Sequence, residues 1–231
     1  MGIYKMRYIF LPLFITAFLL IAGEGYSTEE EDDGSLEMRF KWAIILVDHK
    51  GERGTLSITK NTTIFSGDSM SIFIQPKESA YIYLYLVDSK DDLLLLFPDR
   101  ISDFDKDYSF GKGYRIPGEG RWLTIDQHKG TETFFLLASV KRLEKLEALT
   151  RSHTSASGRA REAAKLKVIA EIKNVKRDFS RLKVFAEKPT PILGTMHRRG
   201  GGGGEEIEIN SYAIEVSAKD IYSKTIRLEH K

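Results

Sequence analysis

The chain has no cysteine among its 231 residues. That excludes disulfides, thiolate metal sites, cysteine nucleophiles and the thiol through which a bacterial lipoprotein carries its lipid. It also lacks an excess of either charge. With 35 basic and 33 acidic residues the formal charge is +2, too small for a general field that would gather nucleic acid, and nucleic acid is not an expected partner. Recognisable reaction motifs are missing as well. G-x-S-x-G does not occur, and His49, His128, His153, His197 and His230 lie in separate segments without H-E-x-x-H or another close ligand spacing. Asp103, Asp105 and Asp107 do not meet the frame of an EF-hand, which needs a central Gly and a closing Glu. Gly111, Gly113, Gly118 and Gly120 are not followed by the Lys-Ser or Lys-Thr of a phosphate loop. No catalytic residue, metal site or cofactor is therefore expected. The chain must hold itself by packing, and its 42% hydrophobic content suffices for a core.

Long apolar runs are scarce too. The one at the N-terminus, Tyr8 to Ala22, follows Lys5 and Arg7 and precedes the small residues of Gly25-Tyr26-Ser27. This is the pattern of a cleaved secretory signal over residues 1–27. The run contains Pro12 and is shorter than the roughly 20 apolar residues of a spanning helix, so no stable membrane anchor is expected after cleavage. Secretion or a periplasmic location follows as the expectation. Residues 28–35, with the acidic run Glu29 to Asp33, read as a solvated linker.

What remains, 36–231, reads as one β-rich domain. Leu36, Met38, Phe40, Trp42, Ile44 and Leu46 alternate with polar residues, then with Ala43, Ile45 and Val47, as a strand that becomes central along its length. A loop through Gly51 and Gly54 returns to Thr55–Lys60, with Leu56 and Ile58 facing inward. Met70, Ile72 and Ile74 form a strand ended by Pro76. The next strand sets Tyr81, Tyr83, Tyr85 and Val87 on one face and Ile82, Leu84 and Leu86 on the other. The aliphatic face belongs in the core, and the tyrosines read as a second, partly buried face rather than a stacking platform. Leu93–Phe97, Tyr114–Ile116, Arg121–Ile125 and Thr131–Ser139 continue the series, with a solvated polar loop from Pro98 to Gly111.

The period then changes. Val140, Leu143, Leu146 and Leu149 mark an amphipathic helix that Arg151–Gly158 breaks, and Leu166, Ile169, Ile172, Val175, Phe179 and Leu182 resume helical spacing. We take 140–188 as a helical insertion, 189–204 as a flexible Gly-rich loop and 205–231 as returning strands, with Ile207 to Val216 alternating and Thr225–Leu228 last. The expected fold is mainly β, an immunoglobulin-like or related antiparallel β-sandwich with an amphipathic helical insertion near its C-terminal half.

Ser66-Gly67-Asp68, Ala80-Tyr81-Ile82-Tyr83-Leu84, Leu96-Phe97-Pro98, Gly111 to Pro117 and Gly130 to Ser139 follow one another in an order that resembles the bacterial DUF4384 domain, with 66–139 as its core. That family has no known function. Its members are often the sole recognisable module of a secreted or lipid-anchored protein, or are appended to kinases and caspase-like peptidases. The resemblance therefore implies a sensing or interaction part and brings no catalytic residue with it.

The expected function is that of an extracytoplasmic, non-enzymatic binding module whose partner is an envelope protein or polymer. The contact region is placed in the loops from Asp99 to Gly120 and beyond, at Asp99, Arg100, Tyr114, Arg115 and Trp122. The alternatives are a secreted hydrolase with a composite site and a scaffold subunit of an envelope assembly.

Overall fold

The structure, a computed structural model, describes residues 37–50, 55–182, 185–189 and 212–231. The segment expected as a signal, the acidic linker, residues 51–54 of the first hairpin, most of the Gly-rich loop and residues 205–211 of the expected returning strands lie outside these.

Two sheets form. The first runs β10 (Phe185–Pro189), β11 (Ile214–Lys219), β1 (Glu37–Val47), β4 (Ser69–Glu78), β7 (Tyr114–Ile116), with β2 (Thr55–Ser57) also on β1 and β8 (Leu123–Thr124) also on β4. The second runs β3 (Thr62–Ile64), β12 (Ile221–His230), β9 (Gly130–Ser139), β5 (Tyr81–Val87), β6 (Leu93–Phe97). All pairings are antiparallel except that of β3 with β12.

The inner faces pack together as the expected sandwich. Phe40, Trp42, Ile44, Ile72 and Ile74 from the first sheet meet Ile82, Leu84, Phe134, Leu136 and Ile226 from the second in one buried cluster. Strict alternation on β1 puts these side chains on one face, while Ala43 and Ile45 pack outward with Phe73 and Trp122.

On the far side of the second sheet lie α1 (Glu144–Ser155) and α2 (Gly158–Leu182). Leu146, Val168, Ile172 and Val175 pack there against Tyr83, Tyr85, Leu93 and Leu137. At the middle of the tyrosine face of β5, Tyr83 and Tyr85 are fully buried, while Tyr81 and Val87 at its ends are half-buried.

Several details depart from the sequence expectation. The strand at Met70 continues past Pro76 because the Pro76 carbonyl, and with it the missing N–H, faces away from β1 and accepts the Gly111 N–H at 2.6 Å, beside a register shift at Arg39/Phe40. The loop after Phe97 contains a 3₁₀ turn, Ile101–Asp105, that buries Ile101 and Phe104 and so is not simply solvated. Of Arg121–Ile125 only Leu123–Thr124 joins the ladder with β4, and Ile125 bonds instead to Gly67 and Asp68, whereas the last strand reaches from Ile221 to His230.

Helix α1 does not stop at Arg151. It persists to Ser155, and the chain turns at Gly158, whose φ is +54°. On α2 the buried stripe is Lys165, Val168, Ile172 and Val175, which leaves Leu166 64% exposed. The interval 140–188 therefore holds two helices and, at its end, the first residues of β10.

Candidate binding site

Past Leu93, whose carbonyl His153 meets, no described element covers the β6 edge of the second sheet. A groove of about 440 Å³ runs there, with Tyr85, Leu93 and Leu95 in its floor, Asp99–Ser102 on one bank and the end of α1 on the other. Arg100, Arg151 and Arg161 reach its rim, and Asp99 is the one carboxylate among its lining residues.

Each bank is fixed locally. After the Phe97–Pro98 turn, the Asp103 carboxylate accepts the Arg100 N–H at 3.0 Å while the Asp103 N–H donates to the Arg100 carbonyl at 2.9 Å. The 3₁₀ turn then buries Ile101 and Phe104, the Phe104 ring lying edge-on to Tyr81 and Tyr83. That anchors the backbone and leaves the Arg100 side chain in solvent, 3.4 Å from Asp103.

The α1 bank is held by directional bonds. Tyr83 donates to the buried Glu147 at 2.6 Å and accepts the Leu143 N–H at 3.0 Å. Glu147 also takes both branches of the Arg142 guanidinium, at 2.6 and 2.5 Å, and Arg142 reaches Asp105 at 2.7 Å. One turn later the Thr150 hydroxyl donates to the Leu146 carbonyl, so it can only accept from Tyr85, 2.8 Å away. One further turn places the buried His153 between the Leu93 carbonyl of β6, at 3.1 Å, and the Arg161 carbonyl of α2, at 3.3 Å.

Electrostatics follow from this packing. Burial alone would raise the Glu147 carboxyl, but the Arg142 and Tyr83 bonds outweigh it and hold the group below its usual range. Burial pushes the Tyr83 hydroxyl up, helped by Glu147, and pushes Tyr85 up as well. Both phenols stay neutral donors and Glu147 stays an ion clamped to Arg142. The rim guanidiniums are less engaged: Arg151 sits 3.6 Å from Glu147, and no ion pair of Arg161 occurs among the described residues. Chemically, the groove offers an apolar floor with cations on both banks, an arrangement that receives an anion bearing an apolar part.

The five residues expected to bind are divided by the fold. Asp99 and Arg100 line the groove. Tyr114 does not: its hydroxyl donates to the Asp107 carbonyl at 3.0 Å and accepts the Ser109 N–H at 2.7 Å, with its ring 5.0 Å from Phe97. Arg115 lies opposite Phe73 in the other sheet, its side chain 10% exposed and 3.7 Å from Glu119. Trp122 covers Ala43, Ile45 and Phe73 on the outside of that sheet. Sequence reasoning missed Arg151, His153 and Arg161, which a Ser- and Thr-rich stretch concealed. The signal was the spacing of Leu146, Thr150 and His153, which continues one helix face.

Two further clusters are architectural. Asp48, His49 and Asp68 hold donor atoms within 4.8 Å of one another. Asp68, however, accepts the Phe65 N–H at 3.0 Å and lies 2.9 Å from His49 Nδ1, and Asp48 accepts the Lys50 N–H at 3.0 Å. Ser66 meets His230 Nε2 at 3.0 Å, so Ser66-Gly67-Asp68 ties β12 to the turn before β4. At the end of the sandwich, a cavity of about 200 Å³ has an apolar floor and a rim of Asp88, Asp126 and Glu132. Burial raises the Glu132 carboxyl, but Asp88 accepts the Lys90 and Asp92 N–H groups and Asp126 that of His128, as turn residues do.

No curated protein and no solved structure matches the chain. Residues 63–142 match the family model of a domain of unknown function, DUF4384. Because that stretch opens within β3 and closes just before α1, the matched residues supply the floor of the groove and its Arg100 bank, and the helices that follow supply the other.

Proposed function

We propose that the protein is an extracytoplasmic, non-enzymatic interaction module of the bacterial envelope, and that it engages its partner in the groove between the Asp99–Ser102 bank and α1. The observation that carries the reading is the convergence of Arg100, Arg151 and Arg161 over an apolar floor. The polar groups beneath them support it: Glu147 is clamped by Arg142, and His153 lies between two carbonyl oxygens, so neither is placed as a free acid or base.

The extracytoplasmic part rests on the Lys5-to-Ser27 pattern. Among the described residues no helix is long and apolar enough to cross a membrane.

A photoreactive residue placed at Ser102 in the full chain, expressed in bacterial cells, tests both parts. Adducts with an envelope component, found outside the cytoplasm and absent when the photoreactive residue is placed at Lys173 instead, are the expected result. Adduct-free protein, or protein retained in the cytoplasm, overturns the reading.

A further inference from the structure

The groove is more specific than a basic depression, because it runs along an open strand edge. Strand β6 pairs with β5 and, among the described residues, with no strand on its other side. The Leu93 carbonyl accepts from His153 and therefore points away from β5. Leu95, two residues on, turns its N–H and C=O to the same side by the two-residue period of a strand. Leu94 belongs to the opposite face, yet it also lines the groove and is 39% exposed. Side chains from both faces of β6 thus border one groove, which places that groove over the free edge.

Three features coincide there: outward peptide groups at Leu95, apolar side chains at Leu94 and Leu95, and guanidiniums at Arg100, Arg151 and Arg161. A lipid headgroup or a free phosphate would use the arginines and leave the peptide groups of β6 unanswered. An extended peptide would answer all three. Its main chain pairs with β6, and its side chains alternate between the leucines and the arginines.

We propose that the groove receives an extended peptide segment of a partner protein with alternating acidic and apolar side chains, added as a strand at the free edge of β6. This inference rests on the interaction-module reading and names the chemistry of its partner.

The test uses the full chain and short synthetic peptides. A peptide alternating glutamate and leucine should bind, and raising the salt should weaken it. A lysine–leucine peptide should not bind. Hydrogen exchange should slow at the β6 amides, Leu95 among them, on binding. Combined Arg100→Gln, Arg151→Gln and Arg161→Gln changes should weaken binding about tenfold or more. Arg159→Gln with Lys173→Gln, which removes charge from the exposed side of α2, should not. Should the triple variant fold poorly, Arg100→Glu with Arg161→Glu supplies an independent reading, because it should transfer binding to the lysine–leucine peptide.

Equal binding of both peptides, or binding without slowed exchange on β6, overturns the proposal. So does arginine-dependent binding of phosphatidylglycerol vesicles with no binding of the glutamate–leucine peptide. If Ser102 adducts form in cells but this peptide fails, the strand-addition idea falls and the module stands. If the peptide binds but no adducts form, the reverse holds.

Discussion

The two faces of the β3–β12–β9–β5–β6 sheet bury the same strands by different means. Toward the other sheet, Ile82, Leu84, Phe134 and Leu136 meet Trp42, Ile44 and Ile72 through apolar contact. Toward the helices, Tyr83 and Tyr85 meet Glu147 and Thr150 through hydrogen bonds, and Arg142 and His153 extend the network to Asp105 and Leu93. Apolar packing is strong but tolerates sliding, since contact depends on area and volume. Hydrogen bonds are weaker and directional. Apolar burial therefore stabilises both interfaces, while the directional bonds that only the outer one carries set where α1 sits and so the width of the groove.

The largest expected effect breaks the inner face. Phe134→Ala removes a side chain that is 1% exposed, and truncations of this kind destabilise by about 3–5 kcal/mol. Urea unfolding should show that loss. A loss below about 1 kcal/mol would mean that the two sheets are not packed closely at this point.

Next comes Glu147→Ala, which strands the Tyr83 hydroxyl and the Arg142 guanidinium. The expected loss is about 1–3 kcal/mol, with Ser102 adducts reduced because α1 is no longer pinned. A pH series on Glu147→Gln sharpens the assignment. The folded carboxyl titrates below its ordinary value of 4.5. Its contribution is therefore fully present above that value and disappears as pH falls through the folded one. Wild type should exceed the Gln variant in stability by more at about pH 6 than at about pH 3. A gap that does not narrow in acid would refute the ionised clamp.

How legible this arrangement is in the sequence depends on which side of the sheet one reads. The inner face is written in a period of two: Met38 to Leu46 on β1 and Ile82 to Leu86 on β5 name their own partners by alternation. The tyrosines of β5 could be placed on one face, but what covers them could not, because Glu147 and Thr150 come from a helix more than sixty residues on and no local pattern encodes that contact. Ile101 and Phe104 were hidden among aspartates. Arg100 was visible as a polar loop residue, whereas Arg151 and Arg161 become site residues only because α1 and α2 fold back over β5 beside β6. Tyr114, Arg115 and Trp122 failed to join them for a topological reason: β7 and β8 cross to pair with β4 in the other sheet.

A smaller change separates directional bonding from burial within the outer face itself. Tyr83→Phe and Tyr85→Phe each delete one hydroxyl from a fully buried ring, so burial alone predicts equal losses. The partners differ. Tyr83 donates to an ionised carboxylate and also accepts the Leu143 N–H, and bonds to charged groups contribute about 1.5–3 kcal/mol. Tyr85 donates to a neutral hydroxyl whose own proton already reaches the Leu146 carbonyl, so its deletion strands no donor and should cost about 0.5–1.5 kcal/mol. Thermal or urea unfolding of the pair, with Ser102 adducts as the second readout, should rank Tyr83→Phe as the more damaging on both. Equal losses would mean that the helices are held by area alone, and the position of α1 would then no longer follow from the Glu147 network.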